Sequence, residues 1–216
     1  MPHTSIYIHW PYCLSKCPYC DFNSHVAKEK IDQEDFLRLI NKEINYHKDY
    51  LSDKKISSIF FGGGTPSLMD PYVVERILTH LSRQSNIASD TEITIEANPT
   101  SVESKKFREY SKIGINRISI GVQSLNNDDL KNLGRTHTAE LAIKAVSIAQ
   151  NYFKSVSIDL IYARPGQSEK SWQLELEKAL SLQTQHLSLY QLTIEPKTLY
   201  EKLYNLGKIE LPCESL

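Results

Sequence analysis

Six short apolar runs alternate with longer helical stretches along this 216-residue chain. The runs lie at residues 5–10, 56–61, 92–96, 117–122, 156–162 and 186–192. Helices are expected over 33–51, 71–84, 102–113, 140–151 and 169–182, with a shorter one at 199–205. Strand, loop and helix repeated in that order mean parallel strands joined by crossover helices. The runs read as nearly continuous in apolar residues, the pattern of strands buried on both faces. Right-handed crossovers then put the helices outside. An open doubly wound sheet and a complete or partial barrel both satisfy this order, and both place function at the carboxyl ends of the strands.

Charge excludes one class of partner. The 25 Lys and Arg against 26 Asp and Glu leave a net charge of −1, which provides no cationic surface for neutralising many phosphates, so no nucleic-acid partner is expected. No apolar run approaches the ~20 residues that span a bilayer. The start, Met1-Pro2-His3-Thr4, lacks a basic segment followed by an apolar one. A soluble, cytoplasmic protein is the expectation. No linker or composition break divides residues 1–216, which read as one core domain that stops after 199–205 without a seventh strand.

Cys13, Cys17 and Cys20 form a C-x3-C-x2-C cluster, while the fourth cysteine, Cys213, stands alone near the carboxyl end. Disulfides need an oxidising compartment and scattered pairs, so three thiols on one short loop read instead as metal ligands. Thiolates suit zinc, copper(I) or iron–sulfur clusters. Zinc would need a fourth ligand, for which His9 and His25 are the nearby candidates. A cubane takes one thiolate per iron, so three cysteines would leave the fourth iron open to a small molecule.

Other polar residues collect at strand ends. Gly62-Gly63-Gly64-Thr65-Pro66 follows the second run, and glycine lets backbone approach a ligand closely; a tight strand-to-helix turn is the plain alternative. Glu96 closes the third run, Gln123 follows the fourth, Arg135 lies in the next loop, and Asp159 interrupts the fifth. A carboxylate in a buried strand must be paired or hydrogen-bonded. Either Arg135 braces the barrel through an ion pair with Glu96 or Asp159, or these residues surround a ligand. His137 reads as a loop histidine with an ordinary surface role.

The segment SIYIHWPYCLSKCPYCDFNSH, with Tyr19 just before the third cysteine, resembles the signature of the radical S-adenosylmethionine (radical SAM) enzymes. FFGGGTPS, TIEANP, RISIGVQS, LGRTH, SIDLIYARPGQ and LSLYQLTIEP extend the resemblance to the oxygen-independent coproporphyrinogen III oxidase-like group along essentially the whole chain. The oxidase branch carries a further cysteine two residues after the third, where this chain has Phe22. CPYCDFNS and LGRTH are similar instead to the haem-chaperone (HemW-type) branch.

The resemblance implies a partial (β/α)6 barrel of TIM type. It also implies a [4Fe-4S] cluster on Cys13, Cys17 and Cys20 whose open iron chelates S-adenosylmethionine. By the same resemblance Gly63, Gly64 and Thr65 contact the methionine amino group, Glu96 the ribose hydroxyls and Arg135 the methionine carboxylate. Gln123 and Asp159 line that pocket, and Tyr7 and Tyr19 belong to it. The implied partners are haem or a porphyrin and respiratory haem proteins. The alternative within the group is coproporphyrinogen dehydrogenase activity, so enzymatic turnover stays open. In two respects the chain departs from the group. Ala163-Arg164 stands where Gly-Leu is usual, which is expected to reshape the pocket wall near Asp159, and the group's further carboxyl-terminal domain is not represented.

Overall fold

The computed structural model describes residues 2–213. Its strands are β1 (His3–Trp10), β2 (Tyr12–Cys13), β3 (His25–Val26), β4 (Lys55–Gly63), β5 (Asn86–Ala97), β6 (Arg117–Gln123), β7 (Ser155–Tyr162) and β8 (His186–Gln191). The helices are α1 (Gln33–Tyr46), α2 (Lys48–Leu51), α3 (Pro71–Gln84), α4 (Ser101–Ser104), α5 (Phe107–Lys112), α6 (Asn127–Asn132), α7 (Ala139–Gln150), α8 (Glu169–Leu180) and α9 (Leu199–Asn205). Six strands form one parallel sheet in the order β1-β4-β5-β6-β7-β8. Strand order equal to chain order is a singly wound sheet that curls into a partial (β/α)6 barrel, as expected from the resemblance and not from the pattern alone.

The strands are not apolar on both faces. Alternate residues Ile8 and Trp10, Ile59 and Phe61, Ile118 and Ile120, and Ile158 and Leu160 lie in the main core with Val74, Ile77, Ala142 and Ala149 of the helices. The intervening positions Glu96, Ser119, Gly121 and Asp159 face a cavity. A period of two is what one apolar and one polar face require. The expectation of strands apolar on both faces is therefore corrected: helices cover the convex side, and the concave positions are polar or small, although in β6 and β7 Ser119 and Ser157 are buried as well.

Helix starts follow the sequence. Asp32, Asp70, Thr138, Ser168 and Thr198 each accept a backbone N–H of the first turn, and Pro71 opens α3, satisfying donors that otherwise lack partners. Two expected helices are broken. Residues 33–51 divide at His47 into α1 and α2. Residues 102–113 divide into α4 and α5, because the segment between them turns inward to bond the 65–69 loop. The Glu103 carboxylate accepts from Ser67, the Asn98 N–H and Thr100, and Lys106 Nζ donates to the carbonyls of Ser67, Leu68 and Met69. Among the described residues no helix is long and apolar enough to cross a membrane.

Candidate metal and cofactor site

At the carboxyl ends of the strands lies a cavity of about 470 Å³. The predicted residues Cys13, Cys17, Tyr19, Cys20, Gly63, Gly64, Thr65, Glu96, Gln123, Arg135 and Asp159 all line it. Tyr7 does not: it lies on β1, exposed, stacked on Phe60 with its hydroxyl 3.4 Å from His9 Nδ1. Asn98, Glu103, Ser119 and Gly121 line the cavity without having been singled out in the sequence. For Asn98 the signal was its place at the end of a strand, directly after Glu96-Ala97.

The cysteine loop is held at both ends. The short pair β2 and β3 clips Tyr12-Cys13 to His25-Val26. Beyond it, the Cys20 N–H donates to the Cys17 carbonyl, forming a turn. From the far side of the chain, the Tyr200 N–H donates to the Pro18 carbonyl at 3.0 Å, and Tyr19 packs edge-on against the Tyr200 ring. Leu133, Ile161, Leu192 and Tyr200 form a second small core beneath this contact. Helix α9 therefore braces the loop, a role nothing in its sequence announces.

Thiol chemistry is set by the neighbours. The Thr65 hydroxyl donates to Cys13 Sγ at 3.5 Å, and Arg135 Nη1 donates to Cys17 Sγ at 3.4 Å. Burial raises the Cys20 thiol, opposed by the Phe22 backbone and the Ser24 hydroxyl. Among the described residues no three His, Cys, Asp or Glu side chains converge on a single-ion site. Neither histidine offered for zinc joins the cavity lining, and His9 Nε2 lies 2.9 Å from the Asn23 carbonyl.

Two of the glycines that packing demands lie against the cysteine loop. At Gly64 a Cβ would come within 2.6 Å of the Tyr12 carbonyl oxygen, so the loop after β4 can lie against β2 only without a side chain. Gly134, at φ +68°, would put a Cβ 2.7 Å from Pro18 Cδ. Gly134→Ala should therefore combine backbone strain with a push on the cysteine loop, and cost about 1–3 kcal/mol. A melting temperature equal to that of the parent protein would contradict this.

Arg135 forms no ion pair with Glu96 or Asp159. Its guanidinium donates to Asn98 Oδ1, to the Gly121 carbonyl at 3.0 Å and to Cys17. The bracing ion pair considered from the sequence is thus absent among the described residues, and the cation faces the cavity with neutral oxygen partners. Gln123 ends β6 at φ +66°, an uncommon conformation for a side chain with a Cβ. It follows an irregularity in the β6–β7 register.

The two carboxylates are both raised. Burial, offset by a 3.2 Å hydrogen bond from the Gly63 N–H and reinforced by Asp159, pushes Glu96 up to about 7. Burial likewise raises Asp159, opposed by the hydroxyls of Ser119 and Ser188. A folded value above the unfolded 4.5 means that Glu96 costs nothing at low pH and becomes destabilising as pH rises through that interval. The full cost above pH 7 is about 3 kcal/mol at 1.36 kcal/mol per unit. Glu96→Gln in the ligand-free protein should therefore raise the melting temperature at pH 8 and leave it nearly unchanged at pH 4.5. A gain that is equal at both pH values would refute the assignment.

His137 is not a surface residue. It is buried with Nε2 3.0 Å from the Val122 carbonyl, and burial lowers its pKa to about 4, keeping the ring neutral. Arg164 does not reach the cavity wall. It turns away, buried, to bond Glu175 at 2.5 Å and Asp129 at 2.9 Å. Glu175 in turn accepts from Ser124 and the Leu125 N–H.

A curled parallel sheet with three thiols, a glycine turn and an unpaired arginine around one cavity defines a class. The radical SAM superfamily model matches residues 7–179, and the chain belongs to that superfamily. Several of the proteins it resembles are named for the HemW branch. It is 42% identical over 215 residues to "Heme chaperone HemW" of Buchnera aphidicola subsp. Schizaphis graminum, covering 100% of this chain and 56% of that protein. It is 41% identical over 201 residues to "Heme chaperone HemW" of Escherichia coli strain K12, covering 93% of this chain and 53% of that one. The chain thus spans about half the length of the curated relatives it matches. Among solved structures, the radical SAM enzyme coproporphyrinogen III oxidase of Escherichia coli matches with a TM-score of 0.85 and 26% identity, over 99% of this chain and 49% of that one. Membership implies a [4Fe-4S] cluster and S-adenosylmethionine. The residues present fit both: soft thiol donors with hydrogen-bond donors aimed at two of them, and a cation and carboxyls beside them in one cavity.

Proposed function

We propose that this chain is the cluster- and S-adenosylmethionine-binding core of a HemW-type haem chaperone that passes haem to respiratory proteins. The observation that carries the reading is the union of the cysteine loop with the Arg135–Glu96 cavity in a chain whose relatives are named haem chaperones. When bound, the cluster supplies one electron for cleaving the sulfonium of S-adenosylmethionine. Cys13, Cys17 and Cys20 would hold it. Arg135 would anchor the methionine carboxylate, with Gly63, Gly64 and Thr65 at the amino group. Glu96 would receive the ribose hydroxyls, and Gln123, Asp159 and Tyr19 would close the walls. Tyr7, outside the cavity lining, would reach the cofactor only from the rim.

The likeness to the oxidase structure supports a second reading, coproporphyrinogen decarboxylation through the same cofactor. Phe22 weighs against it. This side chain is 63% exposed at the cavity mouth, and it can neither relay a proton nor ligate a metal. The test uses the protein extended to the length of its relatives, reconstituted anaerobically with iron and sulfide. Haem binding without conversion of coproporphyrinogen III supports the chaperone. Sustained protoporphyrinogen formation would restore the oxidase.

A further inference from the structure

One carboxamide stands between two of the cysteines. Asn98, just beyond β5, donates from Nδ2 to Thr65 Oγ1 at 3.2 Å and accepts at Oδ1 from Arg135 Nη2. Thr65 in turn donates to Cys13 Sγ, and Arg135 Nη1 donates to Cys17 Sγ. The path Cys13–Thr65–Asn98–Arg135–Cys17 therefore joins residues far apart in sequence around a single side chain.

Directionality follows from the donor inventory. A guanidinium only donates, so the Asn98 atom facing it must be the oxygen, and the NH2 must then face Thr65. A hydroxyl has one proton. With an N–H delivered to its oxygen, Thr65 keeps that proton for Cys13. With one Nη2 bond to Asn98 and another to the Gly121 carbonyl, the guanidinium plane is fixed and Nη1 points at Cys17. Asn98 is itself immobilised: its N–H donates to the Glu103 carboxylate at 2.9 Å, and Pro99 restricts its backbone.

We infer that Asn98 is a positioning residue that aims one hydrogen-bond donor at each of two cluster thiolates and thereby raises the cluster's reduction potential. The inference rests on the reading that the cysteine loop holds the cluster. A reduced cluster carries one more negative charge, so donors to its sulfurs stabilise the reduced form more than the oxidised one.

Asn98→Leu keeps the volume and deletes both bonds. The parent protein and the variant are reconstituted anaerobically with iron and sulfide, and the cluster is titrated electrochemically with its paramagnetic signal as readout. Iron content should match, and the variant's midpoint should move to more negative potential. Thr65→Val should shift it in the same direction, and the double variant by less than the sum, because both changes remove the same donor from Cys13. An unchanged midpoint at full iron content overturns the inference, since a merely structural amide would lower the melting temperature alone. If Asn98→Leu holds no iron, the same titration is made on Asn98→Ala; failure of both to hold iron also overturns it, because Asn98 would then serve assembly. A parent protein that binds no iron and sulfide would instead reject the cluster reading itself.

Discussion

Replacing any one of Cys13, Cys17 and Cys20 by alanine should abolish the cluster, whereas Cys213→Ala should leave it in place. Each iron of a cubane needs its own ligand, and with one iron left to a small molecule only three protein thiolates remain. The cavity contains no further thiol: among the described residues its other polar lining groups are carboxyls, hydroxyls, amides, Lys16 and Arg135, and its one histidine, His137, is buried on the Val122 carbonyl. Cys213 does not line the cavity. The measurement is iron and acid-labile sulfide per chain after anaerobic reconstitution, about four of each for the parent protein. Stoichiometric zinc without sulfide would reject the cluster assignment. The three losses should also separate in stability. Cys17 shares the Arg135 guanidinium and Cys13 the Thr65 hydroxyl, so each of these losses removes one hydrogen bond, whereas loss of Cys20 leaves both in place, a difference of about 1 kcal/mol.

The architecture was legible because strand and helix signals repeat six times with ordinary caps. The polar half of β6 and β7 is legible too. Arg117-Ile118-Ser119-Ile120-Gly121 and Val156-Ser157-Ile158-Asp159-Leu160 alternate strictly, and alternation marks a sheet with one polar face. Reading them as continuous apolar runs hid the concave polar surface that carries the site. Glu96, Asp159 and Arg135 are legible because a charge is conspicuous at the end of an apolar strand, inside one, or in the loop motif LGRTH. Asn98 was not, because a lone asparagine before proline reads as turn chemistry; only the three-dimensional approach of Thr65 and Arg135 gives it work. Arg164 and His137 failed in the opposite way. Their partners Glu175, Asp129 and Val122 lie 11 to 35 positions away in sequence, and no local pattern shows which side of the barrel a loop side chain will take.

Arg135→Ala should weaken S-adenosylmethionine binding by about tenfold or more while leaving the cluster in place. A charge-assisted hydrogen bond contributes roughly 1.5–3 kcal/mol, and each 1.4 kcal/mol is a factor of ten in affinity. The guanidinium is available for this task because it faces the cavity and neither Glu96 nor Asp159 pairs with it: it donates to an amide, a peptide carbonyl and Cys17 Sγ. A cation facing a cavity favours an anionic ligand group, and a carboxylate matches its planar fork. Arg135→Lys keeps the charge and loses the fork, so its affinity should fall between the two. Glu103 is the nearest rival for the charge, yet its carboxyl is already satisfied by Ser67, Thr100 and the Asn98 N–H. Equilibrium binding to the reconstituted protein decides the matter. Unchanged affinity in Arg135→Ala, accompanied by a clear drop in melting temperature, would show that the guanidinium only ties Cys17, Asn98 and Gly121 together and that the cofactor's carboxylate is held elsewhere.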